Sequence, residues 1–344
     1  MIDRSVATAV ILLLACLALA GCGASSLYEQ DRQAVGHFTR AQSLQAVGDL
    51  DAALAEFKKA IHVNPSLAPA HAAIGDIHRK KHELPAAVKA YEIAVQTNPH
   101  NFRNHYNCGY LHQTVAQAER ALEEVQRHLN RAVELYGRAR ELRPNDYGTL
   151  VNLAVCHFSL GQYPQAEAYC KEAIAVDGSR PLAYTNLGAV YDAQGQAYEA
   201  VNMYRQSLER DSRQPEVLMN LAAVYVRQGK FQAALRDYET ALDLLDNPAP
   251  ALERLGYCYY HMGEYDKAEE NYSAALEHQP DSAEAHCGLG TVYMTRYVLD
   301  KSRQELRDRA LTEWRQSLEI NPHQPALIEL VEKYRSRPAN ASGL

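Results

Sequence analysis

Glycine recurs along this chain at a fixed interval. Gly161, Gly195, Gly229 and Gly263 stand 34 residues apart, each closing an apolar run and opening a short polar turn, and Gly48 holds the same place earlier. A period of this length marks stacked two-element units, each too small to bury its apolar face alone. Setting these glycines at the fifteenth place of a 34-residue frame gives eight units, beginning at Ala34, Ala68, Phe102, Tyr147, Pro181, Pro215, Ala249 and Ala283.

Three further places obey the frame. The eighth holds only Ala or Gly (Ala41, Gly75, Gly109, Ala154, Gly188, Ala222, Gly256, Gly290), and the twentieth holds only Ala, from Ala53 to Ala310. Two helices of a hairpin approach closely only where no bulky side chain intervenes. The twenty-fourth place holds Phe57, Tyr91, Tyr136, Cys170, Tyr204, Tyr238, Tyr272 and Trp314, so an aromatic ring fills the space beside nearly every small contact. Units close at Pro65, Pro99, Pro144, Pro280 and Pro322, where proline ends a helix. The third and eighth units carry inserts near 115–129 and 298–306. The first insert has a helical pattern, and its eleven extra residues make about three turns, which would let one lengthened helix keep its phase.

These marks resemble the tetratricopeptide repeat over residues 34–324. The resemblance implies an all-α solenoid of about eight helix-turn-helix repeats in a curved right-handed superhelix. Residues 325–335 supply an amphipathic capping helix, which an open solenoid needs, and 336–344 read as a disordered tail. Composition agrees: 47% hydrophobic and 22% charged residues exclude wholesale disorder, and a net charge of −7 lacks the basic footprint of a nucleic-acid binder.

The first residues read as export, not fold. Val6–Ala20 is an uncharged run of fifteen residues. At about 1.5 Å per residue it is too short to cross about 30 Å of hydrocarbon untilted. It ends Leu19-Ala20-Gly21-Cys22, which resembles the lipobox of bacterial lipoproteins. That resemblance implies a signal peptide over 1–21, acylation of Cys22, and a lipidated tether over 22–33. It also implies anchoring in the cell envelope, with Gly23 pointing to the outer membrane, facing the periplasm.

Function should reside on the face that helix packing leaves free. Places 2, 6, 9 and 13 of the first helix lie opposite its packing side and line the concave surface. Place 6 holds four consecutive asparagines, Asn107, Asn152, Asn186 and Asn220. An amide offers a donor and an acceptor together, matching a peptide unit. The row resembles the asparagine ladder of the repeats of O-linked N-acetylglucosamine transferase, which hold peptide backbone. Asparagine is also simply common at this place in such repeats, and both readings stay open here. Beside the row lie Tyr106, Tyr110, Val155, Phe158, Met219, Tyr257 and Tyr260, an apolar strip of the kind that marks an interaction site. No Lys/Arg cluster suited to a terminal carboxylate lies on this floor. The expected partner is therefore a protein segment, extended or helical, rather than an acidic tail or a small-molecule substrate.

No catalytic constellation stands out. His78 and His82 have the spacing of two zinc ligands but lack a third, and no phosphate loop or nucleophile elbow occurs. No cofactor, metal or enzymatic activity is expected. Cys108, Cys156, Cys170, Cys258 and Cys287 show no CxxC pairing and read as buried thiols. The expectation is a membrane-tethered scaffold or assembly factor of the bacterial envelope, loosely resembling the repeat lipoproteins that serve as pilotins of type IV pilus secretins. The alternative is an adaptor recruiting an envelope protease, a peptidoglycan hydrolase or a glycosyltransferase.

Overall fold

The computed structural model describes residues 29–335, so Cys22, the rest of the proposed leader and tether through residue 28, and the tail lie outside the described residues. Those described form seventeen helices and no strand. After α1 (29–46) and α2 (Leu50–Val63) come α3 (Ala68–Lys80), α4 (Leu84–Thr97), α5 (Phe102–Ala118), α6 (Leu122–Leu142), α7 (Tyr147–Ser159) and α8 (Tyr163–Val176). The second half holds α9 (Pro181–Ala193), α10 (Ala197–Arg210), α11 (Pro215–Arg227), α12 (Phe231–Leu242), α13 (Ala249–His261), α14 (Tyr265–His278), α15 (Ala283–Leu299), α16 (Gln304–Ile320) and α17 (Pro325–Arg335). The chain divides into two compact units between Val176 and Asp177. No helix among the described residues is long and apolar enough to cross a membrane.

Helix starts coincide with the unit starts read from the repeat: from the second unit on, each first residue opens a helix. Local chemistry explains this. Asp49, Asn101, Asp146 and Ser282 cap their helices by accepting the N–H of the residue three further on. Helices α2, α4, α6, α14 and α16 stop two residues before Pro65, Pro99, Pro144, Pro280 and Pro322. The residue before each proline is forced off helical geometry, as at Asn64 (φ −127°, ψ 94°).

The core repeats with the frame. Tyr91, Tyr136, Tyr204, Tyr238, Tyr272 and Trp314 are all buried, each wedged within its hairpin. The glycines of the eighth place make room for them. A Cβ on Gly75 would stand 2.4 Å from Tyr91 Cδ2, one on Gly188 2.7 Å from Tyr204 Cδ1, and one on Gly290 2.5 Å from Trp314 Cδ1. One linking device was not legible in sequence. His71, His105 and His286 donate from Nε2 to the carbonyls of Pro65, Pro99 and Pro280 at 2.8–3.1 Å, tying each unit to the end of its predecessor.

The fifteenth place is a backbone requirement. Gly48, Gly161, Gly195, Gly229 and Gly263 all adopt φ between 70° and 86°, and the next N–H closes back onto the helix, as Gln162 does onto His157 O at 2.8 Å. In the second unit this place falls to His82, at φ 60°, making the same closure through Glu83 N to His78 O at 2.9 Å. A side chain there is strained. His82→Gly should therefore raise stability by about 0.5–1 kcal/mol in urea melts. An unchanged midpoint would show that His82 gains compensating contacts.

The third unit departs from the expected single lengthened helix. Its eleven extra residues are shared: α5 has 17 residues and α6 has 21, where the regular partners α3 and α4 have 13 and 14. The break comes at Glu119, whose carboxylate accepts the N–H groups of Arg120 (2.8 Å) and Ala121 (3.0 Å) and folds the chain into a turn.

Candidate peptide-binding groove

In the first compact unit the predicted residues lie on two helices. Tyr106, Asn107 and Tyr110 sit on α5, and Asn152, Val155 and Phe158 on α7. Their asparagines are engaged within the protein. Asn107 Nδ2 donates to Tyr91 Oη at 2.9 Å, and Asn152 Nδ2 donates to Tyr106 Oη at 3.2 Å. Each bond joins one hairpin to the next. Tyr110 stays 47% exposed, while Val155 and Phe158 are half-buried.

In the second compact unit Asn186 lies on α9, Met219 and Asn220 on α11, and Tyr257 and Tyr260 on α13. The Nδ2 of Asn186 is buried without a hydrogen-bond partner, whereas Asn220 is exposed. The four asparagines thus divide two and two between the compact units and differ in state: two bonded to tyrosine hydroxyls, one half-buried with its Nδ2 unpartnered, one exposed.

What the second compact unit does assemble is a pair of adjoining pockets. The first, about 500 Å³, lies between α11 and α13; Met219, Asn220, Ala223 and Val226 form one wall, Arg254 and Tyr257 the other, and Tyr238 of α12 lines it too. The second, about 370 Å³, lies between α13 and α15 and is lined by Tyr257, Tyr260, Tyr272, Cys287, Gly288 and Thr291. Arg254 and Tyr257 border both, so the two make one groove across α11, α13 and α15. Aromatic stacking stiffens its middle. The His261 ring lies 4.3 Å from that of Tyr257 and parallel to Phe231 at 5.4 Å. Tyr260 Oη and Thr295 Oγ1 are 3.0 Å apart across α13 and α15.

Sequence reasoning missed Arg254, Gly288 and His261. The signal was present at place 6, where the asparagine row gives way to Arg254 and then to a residue with no side chain. A Cβ on Gly288 would stand 2.3 Å from Tyr272 Cζ, so the glycine is what admits that ring to the pocket.

The histidines singled out by spacing do not converge. His78 Nδ1 bonds Glu83 at 2.5 Å, and His82 occupies the turn. A different cluster forms beside the third unit's insert. Potential ligand atoms of Glu92, Cys108 and His112 lie within 4.8 Å of one another. Arg131, however, spans both oxygens of Glu92 at 2.8 and 2.6 Å, and His112 Nε2 lies 3.0 Å from the same carboxylate. Arg131 and His112 hold the Glu92 carboxyl down at about 2. A cation would have to displace a guanidinium, so the group reads as an ion-pair network. Burial also pushes the thiols of Cys156 and Cys170 up to about 12.

The network continues to His128, whose Nδ1 lies 2.9 Å from His112 Nδ1. Burial first, then the His112 and Arg127 charges, hold His128 below its ordinary pKa, against the pull of Glu124 and Glu119. The unfolded chain then takes up a proton that the folded chain resists. Stability from this group is complete above about pH 6.5 and declines as pH falls through it. His128→Gln should make the loss between pH 7.5 and 5.5 shallower in chemical melts; an identical slope would exclude His128 as its source.

Comparison with known proteins agrees with this architecture. A tetratricopeptide-repeat protein from Parabacteroides merdae is similar in structure, with TM-score 0.57 and 16% identity over 76% of this chain and 99% of that one. The C-terminal part of a repeat protein from Cytophaga hutchinsonii gives 0.54 and 16% over 68% and 88%. A chain of the Cut9–Hcn1 hetero-tetramer gives 0.55 and 19% over 86% of this chain but 54% of that one, so the present chain spans about half its length. At these identities the likeness establishes fold alone. No curated protein matches the chain in sequence. Residues 23–287, however, match the family model described as the cilia and flagella-associated protein 70 C-terminal domain, a tetratricopeptide-repeat model, and the chain belongs to that family.

Proposed function

We propose that this chain is a membrane-tethered scaffold that binds a segment of another protein in the groove of its second compact unit. The observation that carries the reading is the adjoining pair of pockets across α11, α13 and α15, with Tyr257 40% exposed between them. An exposed aromatic bordering two pockets is costly in water and favourable under a partner. The free Asn220 amide offers donor and acceptor to a backbone alongside it. The first compact unit carries side chains of similar chemistry at Tyr110 and Phe158.

The tether rests on the Leu19-Ala20-Gly21-Cys22 sequence, which supports acylation and an envelope location, with the outer membrane favoured by Gly23. Pilus assembly, or recruitment of an envelope enzyme, would be a use of the same device.

The test combines anchor and groove. Cys22→Ser should abolish palmitate labelling and release the protein from membranes. Met219→Ser/Tyr257→Ser should leave the circular dichroism spectrum intact. In cross-linked membranes, partners recovered with wild type should be depleted at least about tenfold with the groove variant, since a buried aromatic anchor is worth upward of 1–2 kcal/mol. Full recovery with the groove variant would place the partner elsewhere and end the groove reading.

A further inference from the structure

We propose that the pocket between α13 and α15 is a subsite for a cationic side chain, the ammonium of lysine or the guanidinium of arginine, carried by the docked segment. The inference rests on the groove reading above and adds the chemistry of one position within it.

Two kinds of group that attract a cation converge there. Tyr257, Tyr260 and Tyr272 line the pocket with rings, whose faces attract positive charge. Glu253 and Glu284 line it with carboxylates. Glu253 accepts a hydrogen bond from Ser282 Oγ, a neutral partner, which fixes its carboxylate without neutralising it. Glu284 is exposed at the rim. The ion pairs nearby are Lys267 with Glu264, His286 with Glu313 and Arg296 with Glu269; neither Glu253 nor Glu284 joins one among the described residues. Two carboxylates outside these ion pairs therefore line an aromatic pocket, with Arg254 at the border it shares with its neighbour.

Arg254 borders both this pocket and its neighbour, and the neighbour holds no carboxylate. Its other arginine, Arg227, is paired with Asp192. The carboxylates of the groove therefore both lie in the α13–α15 pocket, which fixes where a cation of the docked segment sits. Gly288 carries no side chain at place 6, where the other units of this half carry Asn or Arg, and that lets the Tyr272 ring reach the pocket. At about 370 Å³ the pocket holds one long side chain with water to spare.

The test uses the full chain and a positional-scanning library of N-acetylated, C-amidated decapeptides, so that no terminus supplies charge. Wild type should enrich Lys and Arg at one position about tenfold over norleucine, an isostere of the lysine stem without its charge. Glu253→Gln/Glu284→Gln keeps the shape and the Ser282 hydrogen bond but removes the charge. It should bring that preference down about fivefold or more, with overall binding of norleucine peptides retained. The wild-type preference should also shrink at 0.5 M salt. A position that prefers neutral or acidic residues, or a cation preference untouched by the double variant, overturns the subsite. The groove reading then survives if Met219→Ser/Tyr257→Ser still abolishes binding of the enriched peptides. A library from which wild type enriches nothing overturns both.

Discussion

Trp314→Ala should cost the second compact unit about 3–5 kcal/mol, the largest loss expected from any single truncation in this chain. Trp314 is 2% exposed and fills the space beside Gly290 at the crossing of α15 and α16. Its Nε1 donates to Cys287 O at 3.3 Å, so the ring also ties α16 to the helix that walls the groove. Truncation leaves a cavity that Gly290 cannot fill and Tyr334, whose ring centroid lies 6.4 Å away, cannot reach. Urea melts followed by circular dichroism should show a separate early transition for the last repeat, because repeat arrays lose cooperativity when one interface fails. A shift below about 1 kcal/mol would mean the eighth unit is already decoupled in wild type.

The columns of this fold were legible because repeat packing is local. A small residue at place 8 and a ring at place 24 meet within one hairpin, and the 34-residue frame repeats that meeting often enough to expose it. The turn glycine was legible for the same reason, although its left-handed φ made visible what the sequence hid at His82. The asparagine row was less informative. Asn107 and Asn152 bond tyrosine hydroxyls of neighbouring hairpins, a pairing that depends on how one hairpin lies against the next and has no fixed spacing in sequence. The insert misled in a related way. Its helical periodicity is real, yet the turn at Glu119 is made by one carboxylate accepting two backbone N–H groups, which periodicity does not register. The α13–α15 pocket depends on an absence, the missing side chain of Gly288, and a pattern search for chemistry-bearing residues passes over it.

The small column can be tested by making one substitution in two places with opposite expected signs. Gly→Ala inside a helix ordinarily stabilises by about 1 kcal/mol, because alanine restricts the unfolded chain and favours the helix. Gly137, in α6, should follow that rule: a Cβ there would meet nothing within 4 Å, so Gly137→Ala should gain about 0.5–1 kcal/mol. Gly75, in α3, should break it. The new Cβ would stand 2.4 Å from Tyr91 Cδ2 and 2.7 Å from Cε2. Tyr91 is 1% exposed, and its hydroxyl is held by Asn107, so the ring cannot swing aside without breaking that bond. Overpacking costs about 1–3 kcal/mol and should outweigh the helical gain, giving a net loss of about 1–2 kcal/mol. The mechanism makes a second demand. With Tyr91→Leu in place the clash is gone, so adding Gly75→Ala should then stabilise as it does at Gly137, a coupling of about 2 kcal/mol between two sites in contact. Guanidinium melts of the four proteins measure it. If Gly75→Ala stabilises in the Tyr91 background, the hairpin has slack at its crossing, and the small residues of the eighth place are not there to admit the ring.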